Sequence, residues 1–236
     1  MPDYRQIYDQ RAADYHALIA AEDADRSVDR WLADILTVKT SRAQKLLDVG
    51  AGTGRLAAIM ARQHPTAEIT CTDAAQAMLA ELTRRWPTPP APITVVADYR
   101  ALPFPDATFD TVMAGWALGH LTGFYPDTWP IEARRTLQEL ERVATPGGDI
   151  ILFETLGTGT PHPAPPRPEL AALYDLFEST GFTRTTLRTD YRFASHADAV
   201  RLTSFFFGDR ILPALHDSVD GTTLIEWTAA FHRRLP

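Results

Sequence analysis

The segment Asp48-Val49-Gly50-Ala51-Gly52-Thr53-Gly54 concentrates more chemistry than any other in this 236-residue chain. Its glycines allow positive φ and a close approach of backbone to a ligand. The same run also suits a turn that only packs a helix against a strand. Asp73 lies 23 residues beyond Gly50, at the end of a second apolar run. There its carboxylate either accepts from the paired hydroxyls of a ribose or caps a helix beginning at Ala74. Arg55 stands where the dinucleotide fingerprint G-x-G-x-x-G needs its third glycine. No Lys-Ser or Lys-Thr follows the glycines, and Lys39-Thr40 precedes the strand, so a P-loop is excluded.

Such residues need a scaffold that gathers strand ends. Gln44–Val49 reads as a short apolar strand, followed by a helix through Leu56, Ile59 and Met60. Further strands are expected over 67–72, 93–97, 108–114 and 149–154, with helices through Met78–Leu82 and Ala133–Ala144, the latter stopping at Pro146-Gly147-Gly148. Leu170, Leu173, Tyr174 and Phe177 mark a helix ended by Gly181. Thr183–Phe193 and Thr222–Phe231 read as two last strands with a helical segment between them. Before all of these, Tyr4 to Ile35 reads as two amphipathic helices joined at Glu22-Asp23-Ala24-Asp25. Alternating strands and helices argue for an α/β fold, a parallel sheet covered by helices on both faces. Ligands of such sheets bind beyond the carboxyl ends of the strands, where the strand order reverses.

Composition narrows the function classes. The net charge is −7 and the pI near 5.5, which disfavours a phosphate backbone as partner. The single Cys71 excludes an internal disulfide, and no Cys/His cluster has zinc spacing. The N-terminus lacks a signal-peptide pattern and no apolar run approaches bilayer length, so a cytoplasmic protein without a membrane partner is expected. Oligomeric state is not readable from these features.

In combination, several segments resemble one family. Leu46-Leu47-Asp48-Val49-Gly50-Ala51-Gly52-Thr53-Gly54 resembles motif I of the class I S-adenosylmethionine-dependent methyltransferases. Cys71-Thr72-Asp73-Ala74-Ala75-Gln76-Ala77-Met78-Leu79 is similar to their second motif, and Asp98 to Asp110 to a segment of their small-molecule branch. Pro146-Gly147-Gly148 completes the series. The resemblance implies a Rossmann-like, doubly wound sheet of seven mostly parallel strands with an antiparallel last strand. It implies S-adenosylmethionine as cofactor and S-adenosylhomocysteine as product. Gly50, Ala51, Gly52 and Gly54 would run along the methionyl part, and Asp48 would help hold its ammonium group, directly or through water. Asp73 would take the ribose, Asp98 the adenine amino group and the Tyr99 N–H a ring nitrogen, with Ala74 packed on adenine and Trp116 nearby. Ala75 departs from the serine frequent in relatives, which predicts a weaker helix cap. The implied organisation is a single domain over 1–236. It comprises a helical cover (1–40), a cofactor-binding core (43–155) and a C-terminal substrate-side part (156–236), with the loop from Leu156 to Pro168 joining the cover.

At the reacting end, His120 follows the fourth strand and is the candidate base, because its unperturbed pKa lies near neutrality; packing is the alternative. Glu154 either orients the acceptor or serves as a structural hydrogen-bonder. Tyr8, Tyr15, Trp116, His120 and Glu154 form the expected pocket for a small, apolar or aromatic acceptor. No carboxylate occurs over Met113–Ala117, where metal-dependent relatives hold magnesium, so no metal is expected. A dehydrogenase and a non-catalytic cofactor-binding module are the competing readings.

Overall fold

In the computed structural model, residues 4–36, 44–87 and 89–236 are described. The chain opens with α1 (Tyr4–Gln10), α2 (Ala12–Ile19) and α3 (Ser27–Ile35). Then come β1 (Lys45–Val49), α4 (Arg55–Gln63), β2 (Glu68–Asp73), α5 (Gln76–Arg85), β3 (Ile93–Val96) and β4 (Phe109–Gly115). A 3₁₀ turn (Leu118–His120), α6 (Leu121–Phe124) and α7 (Trp129–Val143) lead into β5 (Ala144–Thr158). The last third holds α8 (Pro168–Ser179), β6 (Thr183–Arg188), β7 (Tyr191–Phe193), α9 (His196–Phe207), β8 (Leu215–Ser218), β9 (Gly221–Leu224) and β10 (Glu226–Arg234). The described residues divide into two compact units, one of 44–154, 167–185 and 230–236, the other of 4–36, 155–166 and 186–229.

A seven-stranded sheet has the order β3-β2-β1-β4-β5-β10-β6. The pairs β2–β3, β1–β2, β1–β4 and β4–β5 are parallel. The Gly147 N–H donates to Pro236 O and the Leu235 N–H to Gly148 O, a reciprocal pairing that runs β10 antiparallel to β5. The central strands are near-continuous apolar runs: Leu46, Leu47, Val112, Met113, Ile150 and Ile151 are all inaccessible. That pattern is what burial on both sheet faces demands. The buried stripe of α4, Leu56, Ala57, Ile59 and Met60, covers part of this surface. The chain order reverses at β1, which has β2 on one side and β4 on the other.

In the second unit, Leu18, Tyr191, Phe193, Ala199, Leu202, Ile211 and Leu224 form one apolar cluster, with Phe205, Phe206 and Phe207 packed partly buried against it. Ser195 caps α9 by accepting from the Asp198 N–H.

Four local expectations are corrected. The N-terminal stretch forms three helices instead of two, because the backbone leaves helical geometry at Arg11 (φ −130°, ψ 31°). At the acidic joint, Asp23 accepts from the Ser27 and Val28 N–H groups and so starts α3. Pro146-Gly147-Gly148 does not stop α7; the helix ends at Val143, and the three residues lie inside β5. They accompany a register shift against β4 between Phe109 and Thr111. Gly147 has φ +70°, and a Cβ on Gly148 would stand 2.7 Å from Thr145 O. The glycines therefore serve a bulge. β5 also continues through Leu156 to Thr158, shortening the expected loop.

The two expected last strands each divide. Thr183–Phe193 becomes β6 and β7, and the second run becomes β9 and β10. Asp190 accepts from the Glu226 N–H, and the Thr189 N–H donates to Glu226 O. Those bonds satisfy the backbone where the strands change sheets. β7, β9 and β8 then form a separate antiparallel sheet of three strands.

Candidate functional site

The glycine loop leaves β1 and enters α4. Gly50, Gly52 and Gly54 all take positive φ, at 65°, 55° and 88°. Gly54 also abuts α5: a Cβ there would stand 2.7 Å from Leu82 Cγ. Helix packing and chain reversal are thus both written into the loop. Ala51 donates its N–H to Thr72 O, tying the loop to the end of β2.

Asp73 closes the arrangement. Its Oδ2 accepts from the Gly52 N–H at 2.8 Å and its Oδ1 from the Ala75 N–H at 2.8 Å. One carboxylate therefore holds the loop and also starts the approach to α5, whose own N-cap, Ala75, makes no side-chain cap bond. Beneath it, Asp48 is 1% exposed and accepts from the Ala57 N–H in the first turn of α4. Burial pushes the Asp48 carboxyl up to about 7, with the Asp73 charge adding to the rise. The position braces loop and helix from inside.

Asp98 follows the end of β3, which the Ala97 N–H ties to Asp73 O. A feature missed in the sequence surrounds it. Arg100 Nε lies 3.0 Å from Asp98 Oδ1 and its Nη2 2.6 Å from Oδ2. Arg100 is itself fixed by Glu132 at 3.0 Å and by the Tyr125 ring, 4.4 Å below the guanidinium. This clamp holds the Asp98 carboxyl below the usual carboxylate range. Only the Asp98-x-Arg100 spacing could have hinted at it; Glu132 and Tyr125 are distant in sequence. Tyr99 is partly buried, and burial raises its hydroxyl pKa. Ala74 is exposed beside Asp73.

Trp116 directly follows β4 with a left-handed backbone (φ 52°) and its N–H on Phe153 O. Its ring stacks on Phe153 at 5.7 Å, and Arg55 lies 4.3 Å over it. Arg55, notable in sequence only for not being glycine, thus covers an aromatic ring at the strand end.

The 3₁₀ turn after β4 carries His120, stacked on Phe124 at 5.5 Å. Glu154, 4% exposed on β5, accepts from the Gly119 N–H at 2.8 Å and from the Leu118 N–H. Burial pushes its carboxyl up to about 8, against those two amides. His120 moves the other way, down to about 4, through burial and the positive charge of Arg167. Tyr8 and Tyr15 belong to the second unit, where their rings meet edge-on at 5.3 Å and Tyr15 also contacts Phe206 at 5.5 Å. Among the described residues, no group of three or more His, Cys, Asp or Glu could hold a metal ion. No helix there is long and apolar enough to cross a membrane.

Residues 47–152 match the family described as "Methyltransferase domain". A malonyl-[acyl-carrier protein] O-methyltransferase of Halorhodospira halophila is 34% identical over 160 residues, 67% of this chain and 49% of the relative. A demethylmenaquinone methyltransferase of Thermus thermophilus is 29% identical over 63% of this chain and 61% of its own length. The chain thus spans about half to three fifths of the curated relatives it matches. Among solved structures, a Haemonchus contortus phosphoethanolamine N-methyltransferase in complex with S-adenosyl-L-methionine superposes with a TM-score of 0.61. It is 16% identical, and the match covers 100% of this chain and 60% of that one, a likeness of fold.

Proposed function

Since the chain belongs to the class I S-adenosylmethionine-dependent methyltransferases, we propose that it moves a methyl group from S-adenosylmethionine to a small-molecule acceptor. The observation that carries this reading is Asp73, whose carboxylate sits against the Gly52 N–H at the point where the strand order reverses. The residues present fit an adenosyl ligand. Asp73 would accept from the ribose hydroxyls and Asp98 from the adenine amino group, with the Tyr99 N–H on the ring and Ala74 against its face. Gly50, Ala51, Gly52 and Gly54 would leave room for the methionyl part, braced by Asp48 from below, with Trp116 at its far end. The bound cofactor supplies a methyl group already activated by a sulfonium. The protein's work is then mainly alignment, which can contribute ~7–11 kcal/mol. The name of the Halorhodospira halophila relative, an O-methyltransferase, puts oxygen acceptors first among those to try.

Calorimetry with S-adenosylhomocysteine tests the reading directly. Wild type is expected to bind, NAD is not, and Asp73→Ala is expected to lose roughly 1.5–3 kcal/mol of affinity with its charge-assisted hydrogen bonds. Unchanged affinity in that variant would remove Asp73 from the ribose.

A further inference from the structure

Arg167 lies at the start of α8, its side chain partly buried, and has entered so far only as the charge beside His120. Among the described residues its guanidinium has one hydrogen-bond partner, Thr122 Oγ1 at 3.0 Å, and no carboxylate pairs with it. Thr122 is 4% exposed and donates its own proton to Gly119 O at 2.8 Å, so its oxygen can only accept from Arg167. The arginine is thereby fastened to the turn that follows β4, beside His120. A guanidinium keeps its charge at any working pH and presents a fork of donors that fits a carboxylate in two bonds. Its neighbours here do not supply that partner. His120 stays neutral, and Glu154 already accepts from the Gly119 and Leu118 amides and holds its own proton until about pH 8. A partly buried charge without a counter-ion is costly unless a ligand brings one.

We propose that Arg167 binds the carboxylate of the methyl acceptor, so that the acceptor is a carboxylic acid and the product its methyl ester. The proposal rests on the methyl-transfer reading and narrows it. A carboxylate oxygen forms the new C–O bond as the S–C bond breaks. The S–C electron pair stays on sulfur, the sulfonium becomes a neutral thioether, and no proton moves. The absence of proton transfer matches the turn. His120, near 4, would be a poor base for a phenol near 10, with a transfer equilibrium about 10⁶-fold against it. A carboxylate arrives already ionised and needs no base.

The test uses the full chain, methyl-labelled S-adenosylmethionine, a small-molecule extract and mild alkali. Alkali releases the label of a methyl ester as methanol and leaves ethers, methylamines and C-methyl groups intact. The expected result is alkali-labile label. In Arg167→Gln, ester formation should fall by ~30-fold or more, seen chiefly as a raised KM for the acid, with the S-adenosylhomocysteine Kd unchanged within about two-fold. Arg167→Lys keeps the charge without the fork and should recover part of the rate. It also covers the case in which the glutamine variant folds poorly. Alkali-stable label, ester formation that Arg167→Gln leaves untouched, or no transfer to any acid by a protein that binds S-adenosylhomocysteine would each overturn the proposal. Failure of wild type to bind S-adenosylhomocysteine would instead strike the methyl-transfer reading, and this proposal with it.

Discussion

Near the end of β4 stand the buried Glu154 and the partly buried His120, and their shifts run in opposite directions. Glu154 keeps its proton to about pH 8, above its ordinary value of 4.5, so the folded state binds that proton more tightly than the unfolded chain. Its contribution to stability is therefore full below about 4.5 and lost as the pH rises through about 8. Denaturant titrations of wild type and Glu154→Gln across this window should show a falling limb in wild type and a flatter one in the variant. Asp48 adds a similar limb between 3.8 and about 7, which Asp48→Asn should remove. His120 bears on catalysis. With its pKa near 4, kcat/KM should show no inflection near 6.5 that His120→Gln abolishes, and the variant should keep turnover within ~10-fold. A pH–rate profile whose acid limb near 6.5 vanishes in the variant would restore His120 as the base. None of these shifts is visible in the side chains' types, because each comes from neighbours brought together by folding. Asp73, in contrast, was legible as a candidate from its place at the end of a recognisable strand, and Asp98 from the resemblance alone.

At the scale of elements, most of the parallel sheet could be read from apolar runs, because strands buried on both faces need little else. The glycine loop is the junction on which α4 and α5 both depend. Gly54→Ala should destabilise the fold by ~2–4 kcal/mol, through the left-handed φ of 88° and the collision with Leu82. Adding Leu82→Ala relieves the collision but not the backbone, so thermal unfolding of the double variant should show less than the sum of the single losses. What could not be read were the places where one pattern passes into another. Pro146-Gly147-Gly148 has the composition of a helix stop and serves a bulge inside β5, a difference decided by its pairing with β4. The divisions at Thr189-Asp190 and at Ile225 lie inside runs that read as single strands. Their breaks are visible only as the hydrogen bonds that Glu226 makes with Thr189 and Asp190.

For the whole molecule, each of the two units carries an apolar interior of its own. Leu18→Ala, at a side chain 1% exposed within the second unit's cluster, should cost ~2–5 kcal/mol by cavity formation. Hydrogen exchange should place the lost protection mainly in residues 186–224 and leave β1, β2 and β4 at their wild-type values. Uniform loss across both units would mean that they unfold as one. The order of the strands from β1 to β5, the glycine loop and its following acids were determined by the sequence alone, because they rest on local periodicity and on residue types that the backbone itself requires. The tertiary structure decided the clamp of Arg100 and Glu132 on Asp98, the second sheet, the lowered pKa of His120 and the placement of Arg167 beside it. Each of these depends on residues far apart in the chain, and on a burial that removes water from charges whose sequence neighbours would have left them solvated.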